Sequence, residues 1–190
     1  MKSLLVILAV AALTVIDASM LGIKIGSPEI ALSKLKLKQI AKREGITKYR
    51  TENDNDFVVT VEDGKVVYME NDWNQKTEGN VALIPGFTFG QTSLKDIRKR
   101  LGNKGFVYAE NQNYITNEYL YEYHCYEIDS PQKEVLVVVT KIPFSTTVTE
   151  NTDIAQKLKL DAIVLADAEY LDFLWGAQKS YDKDYKKVKL

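Results

Sequence analysis

Asp63-Gly64 sits between two largely apolar runs, 57–62 and 65–70. An Asp-Gly pair accepts positive φ at both positions, and that backbone matches the twist of two neighbouring strands. The dipeptide therefore predicts a tight antiparallel hairpin. A second hairpin is predicted from residues 119–128 and 134–142, which flank Asp129-Ser130-Pro131-Gln132-Lys133. Both hairpins follow the same prelude. Gly22-Ile23-Lys24-Ile25-Gly26 and Gly86-Phe87-Thr88-Phe89-Gly90 each read Gly, apolar, polar, apolar, Gly. The alternation puts Ile23 with Ile25, and Phe87 with Phe89, on one side of a short extended segment.

A helix is well signalled after Gly90. Ser93 or Thr92 caps it, Asp96 completes a capping box, and Leu94, Ile97 and Leu101 share one face before Gly102 stops it. The matching helix after Gly26 is read from Pro28 in its first turn and from Ile30, Leu37 and Ile40 on one face, ending near Gly45. Leu35-Lys36-Leu37-Lys38 also alternates as a strand would. The expected fold is α+β: two helix-plus-β-hairpin repeats forming one antiparallel sheet with the helices on one face, plus a C-terminal helical segment. The expected divisions are a leader at 1–18, repeats at 19–70 and 86–150, a connection at 71–85, a helical segment at 151–176 and a flexible charged tail at 177–190. Within the helical segment, a strand at 161–165 is the alternative reading.

The leader is read from Lys2 and the apolar run from Leu4 to Ile16, which Asp17 ends. Thirteen apolar residues are too few to span a bilayer, which takes about 20, and fit a secretory signal peptide cleaved after Ala18 or Ser19. The expected location is the periplasm or the medium. With a single Cys, the chain cannot make an internal disulfide.

The glycine pair, the Ser/Thr start, the short helix ending in Leu101-Gly102 and the hairpin together resemble the tandem α/β repeats of the β-lactamase inhibitor protein, a pattern shared with small outer-membrane assembly lipoprotein domains. The match runs from about Gly22 to Lys141 and is best from Gly86 to Gly102. The resemblance implies an exported, non-catalytic protein that binds other proteins across a concave sheet. The chain departs from both groups: it lacks the inhibitor's disulfides and the lipoproteins' lipidated Cys.

Composition narrows the chemistry. A formal charge of −1 offers no field for a nucleic-acid backbone. Cys125 and the only His, His124, are adjacent in a predicted strand, so they point to opposite faces and cannot form a dyad. No catalytic, cofactor or metal-ligating set is expected. Glu52-Asn53-Asp54-Asn55-Asp56 lacks the Gly and distal Glu of a calcium loop and reads as a solvated turn. Lys34, Lys36, Lys38, Lys42, Arg43, Lys48 and Arg50 form one basic stretch, and Lys95, Arg98, Lys99 and Arg100 another. On two helices side by side they would make a basic face able to touch membrane or glycan weakly.

The candidate binding residues are aromatic. Tyr119, Tyr121 and Tyr123 share a strand face at period two, and Trp73 lies in the polar connection. Tyrosine offers wide contact area with little entropy to lose. The same face could instead be core, because its opposite, Leu120, Glu122, His124 and Tyr126, is poor core material. The functional expectation is an exported non-enzymatic inhibitor, immunity or chaperone-like protein. It would bind an unidentified protein, but no nucleic acid, through the tyrosine face. The alternative is a structural envelope protein acting through its basic helix faces.

Overall fold

The computed structural model describes residues 18–76 and 79–190. The predicted leader, apart from Ala18, lies outside the described residues. A 3-10 helix, Glu29–Lys34, precedes four strands: β1 Lys38–Arg43, β2 Ile46–Arg50, β3 Asp56–Glu62 and β4 Lys65–Asp72. Helix α1, Leu94–Leu101, follows, then β5 Phe106–Tyr108, β6 Asn113–Ile115, β7 Tyr119–Glu127 and β8 Glu134–Pro143. The chain ends with α2 Ile154–Lys157, β9 Lys159–Asp167, α3 Ala168–Trp175 and β10 Lys179–Tyr181. The ten strands form one sheet in the order β1-β2-β3-β4-β9-β8-β7-β5-β10, with β6 also paired to β7. Every named strand pairing is antiparallel.

Both predicted hairpins form. Asp63 and Gly64 take φ of 47° and 72°, and β3 and β4 pair on either side of them. Helix α1 carries the full capping box: Ser93 accepts from Asp96 N–H, and the Asp96 carboxylate accepts from Ser93 N–H. Leu94, Ile97 and Leu101 are its buried residues. Ile23, Ile25, Phe87 and Phe89 all enter one core cluster, as their alternation implied.

The two-repeat architecture and the resemblance to inhibitor repeats are not upheld. The molecule is mostly antiparallel sheet with few helices. Among the described residues the first half has no α-helix before α1: after a 3-10 turn, the 35–38 alternation continues into β1. Glu44 and Gly45, with φ of 44° and 80°, turn β1 back into β2. Position 45 is closed to any side chain, since a Cβ there would lie 2.6 Å from Val61 O.

The decisive departure is β9. It leaves the C-terminal segment to lie between β4 and β8, so the two predicted hairpins never meet. Two-sided burial explains its place. All residues of β8 except Pro143 are buried, and the middle of β9, Ala162 to Ala166, is buried on both faces. Such continuous apolar strands belong at the centre of a covered sheet. One face carries Phe57, Val59, Met69, Leu136, Val138, Ile163 and Leu165 against Phe87, Phe89 and α1. The other carries Val135, Val137, Val139, Ala162, Val164 and Ala166 against Leu171 of α3. Helices thus lie on both faces, not one. The 177–190 segment is not a loose tail: β10 pairs with β5, and Val188 and Leu190 are buried in the core. Among the described residues, no helix is long and apolar enough to cross a membrane.

Candidate functional site: an aromatic and acidic sheet face

The second face is built from period-two side chains on four strands. Tyr68, Glu70 and Asp72 of β4 stand opposite Ala166, Val164 and Ala162 of β9. Those three stand opposite Val135, Val137 and Val139 of β8. Val139 stands opposite Tyr123 of β7, and Lys141 opposite Tyr121. Small residues floor the middle, so long side chains from β4 and β7 lean inward from both sides.

Tyr119, Tyr121 and Tyr123 are all half-buried and on this face. The Tyr119 and Tyr121 rings lie 6.1 Å apart, and Tyr114 of β6 lies 6.1 Å beyond Tyr121. Tyr123 turns to Trp175 of α3, edge to face at 5.9 Å. Tyr114 ends the row toward solvent, 59% exposed. The row is therefore core at its Tyr123 end and surface at its Tyr114 end.

Trp73 joins the same site through a cation. Lys141 Nζ sits 5.0 Å from the Trp73 ring centroid and 4.7 Å from that of Tyr119, and 2.7 Å from Asp161 Oδ1. Two ring faces and a carboxylate surround one ammonium, which is favourable where water is excluded. The indole is seated against Gly90, where a Cβ would come within 2.6 Å of the ring. The structure thus brings Trp73, Tyr119 and Tyr121 together around Lys141, and places Tyr123 under α3.

The acids facing the tyrosines were absent from the sequence reading. Tyr68 Oη donates to Glu70 Oε2 at 2.8 Å. Burial, reinforced by the neighbouring Glu70 and then by Asp161 and Asp56, pushes the Asp72 carboxyl up to about 8. Burial also raises Asp161, against the pull of Lys141. The phenols of Tyr121 and Tyr123 are raised, first by burial, then by Asp161 for the one and by Glu70 for the other. Beyond β4, Asp56 is held by Lys48 at 2.5 Å and Arg50 at 3.0 Å. Tyr68-x-Glu70-x-Asp72 was a visible signal, a polar face at period two. Its neighbours on β9 and β8 were not visible.

Cys125 and His124 are both buried, and they occupy opposite faces of β7. Burial pushes the Cys125 thiol up, away from nucleophilic reactivity. His124 Nε2 lies 3.2 Å from Glu122 Oε2. The expected pair of basic helices does not form, because its first member is β1 and β2. Of the second group, Arg100 lies over the Phe87 ring at 5.2 Å and bonds to Pro85 O.

No protein-family model matches the sequence, and no curated protein matches it. Similar solved structures include the following two. One is an extracellular protein containing a SCP domain from Bacillus anthracis str. Ames, 15% identical with a TM-score of 0.42, covering 90% of this chain and 53% of that chain. The other is a cysteine-rich secretory protein from Staphylococcus aureus subsp. aureus Mu50, 11% identical with a TM-score of 0.40 and the same coverage. The chain spans about half the length of each.

Proposed function

We propose that this chain is an exported, non-catalytic protein-binding protein, working as an inhibitor, an immunity protein or a chaperone in the periplasm or the medium. Export rests on the signal-like residues 1–18. The binding reading rests on one observation: the row Tyr119, Tyr121, Tyr114 stays open to solvent beside the central strands β8 and β9, which are covered on both faces. Rigid, half-seated aromatics are the usual anchors of protein interfaces. Lys141 behind them, over the Tyr119 ring, helps keep the row in place.

The test uses residues 19–190 as bait against periplasm and spent medium, washed at low and then high salt. One stoichiometric protein retained at high salt is expected. Tyr121→Ala should then weaken its affinity by more than about 1 kcal/mol, with far-UV circular dichroism and a cooperative thermal transition retained. Retention of salt-labile envelope material alone, or an unaltered affinity in the folded variant, would refute the reading.

A further inference from the structure

Two open strand edges of the sheet, β1 at one end and β6 beside β7, lie in segments of opposite charge. Residues 34–50 hold seven Lys and Arg against one Glu, and they include β1, which pairs only with β2. All six residues of β1 are exposed. Residues 105–132 hold five acids and no Lys or Arg, and they include β6, whose one sheet partner is β7. All three residues of β6 are exposed as well. Several of these charges lack a partner within the molecule. Among the described residues, Lys34, Lys36 and Lys38 in one segment, and Glu110 and Glu118 in the other, form no ion pair.

An open strand edge is a template for another strand. Lysines on β1 oppose its pairing with a second β1, because like charges across a ladder repel. They do not oppose an acidic edge. The β6 edge is uncharged along Asn113-Tyr114-Ile115 and flanked by Glu110 and Glu118. Its outward donors can be identified. Thr116 N–H bonds to Tyr119 O, and Tyr123 N–H to Gln112 O, so residues of even number on β6 face β7 and the N–H of Ile115 faces out. Beside β1 lies an open groove of about 560 Å³, lined in part by Ile30, Leu32, Leu35 and Leu37, where an apolar side chain such as Ile115 can settle.

We infer that the chain associates with a second copy of itself, β6 of one against β1 of the next. The contact joins two different edges, so it is heterologous and leaves a free edge at each end. It extends to a chain of copies rather than closing as a symmetric dimer. It uses the backbone of the sheet edges and does not depend on the tyrosine-face reading, although Tyr114 of that row lies on β6.

Sedimentation of residues 19–190 over a concentration series tests it, with two variants. Lys38→Glu with Arg43→Glu reverses the β1 edge. Ile115→Pro removes one of the two outward donors of β6, the other being Asn113 N–H, without touching its bonds to β7, as proline on an edge strand allows. Wild type should grow past dimer with concentration and dissociate as salt rises, since exposed charges are screened. Each variant alone should remain monomeric, and a mixture of the two should give a heterodimer and nothing larger. Wild type that stays monomeric at roughly 1 mM, where even a millimolar contact is half filled, overturns the proposal. So do variants that assemble like wild type, or a mixture that stays monomeric.

Discussion

At the scale of residues, Lys141 organises the candidate site. It is 7% exposed, and Asp161 beside it is 15% exposed. Removing one partner of a buried pair leaves the other charged and unsolvated, at a cost of about 3 kcal/mol. Lys141→Met should therefore destabilise the fold by about that much in urea titration, and adding Asp161→Asn should restore part of it. The Trp73 emission should shift in the single variant, because its ring loses the ammonium. Asp72 sets a pH dependence. Its carboxyl titrates near 8 in the folded chain and near 3.9 in the unfolded one. Between those values the folded state binds the extra proton, so this group's contribution to stability falls as pH rises from about 4 to about 8. Urea midpoints measured across that range should show this decline, and Asp72→Asn should flatten it. Period-two polarity on β4 was readable from Tyr68, Glu70 and Asp72. The pairing of Trp73 with Tyr119 was not, since it depends on a lysine sixty-eight residues from one and twenty-two from the other.

At the scale of elements, success followed the range of the signal. Helix α1 was legible to its caps because every contact that defines it lies within four residues. Ser93→Ala should cost about 1 kcal/mol, measured as a lower urea midpoint with an unchanged slope. The turns at Asp63-Gly64 and at 129–133 were legible for the same reason. The stretch 30–45 was misread because its apolar residues satisfy two periods at once. Ile30, Leu37 and Ile40 fit a helix face, while Leu35 and Leu37 fit a strand. The turn at Glu44-Gly45 settles the conflict, and Gly45 is required there by the approach of Val61 O. Once β1 is a strand, its basic residues lie along a sheet edge and cannot join those of α1 in one helical face.

At the scale of the whole molecule, the C-terminal third completes the sheet. β9 contributes the strand that bridges the two halves, and the last residues close the core. Val188 N–H bonds to Glu127 O and its carbonyl accepts from Asp129 N–H. Burying Val188 and Leu190 contributes roughly 3–6 kcal/mol together. A chain ending at residue 176 should lose at least that much stability, seen as a collapse of the cooperative thermal transition. The segment looked like a solvated tail because its charged residues outnumber its apolar ones. Its two structural anchors are single side chains separated by lysine.

The sequence by itself determined the local parts: two hairpin turns, one capped helix, the inward faces of 23–25 and 87–89, and the tyrosine alternation on β7. Each depends on residues a few positions apart, whose backbone preferences do not change with what surrounds them. The tertiary structure decided which strands became neighbours. β9 entered between β4 and β8 because strands apolar on both sides are stable only where both faces are covered. That choice placed the acids of β4 opposite the tyrosines of β7 and put Lys141 between Trp73 and Tyr119.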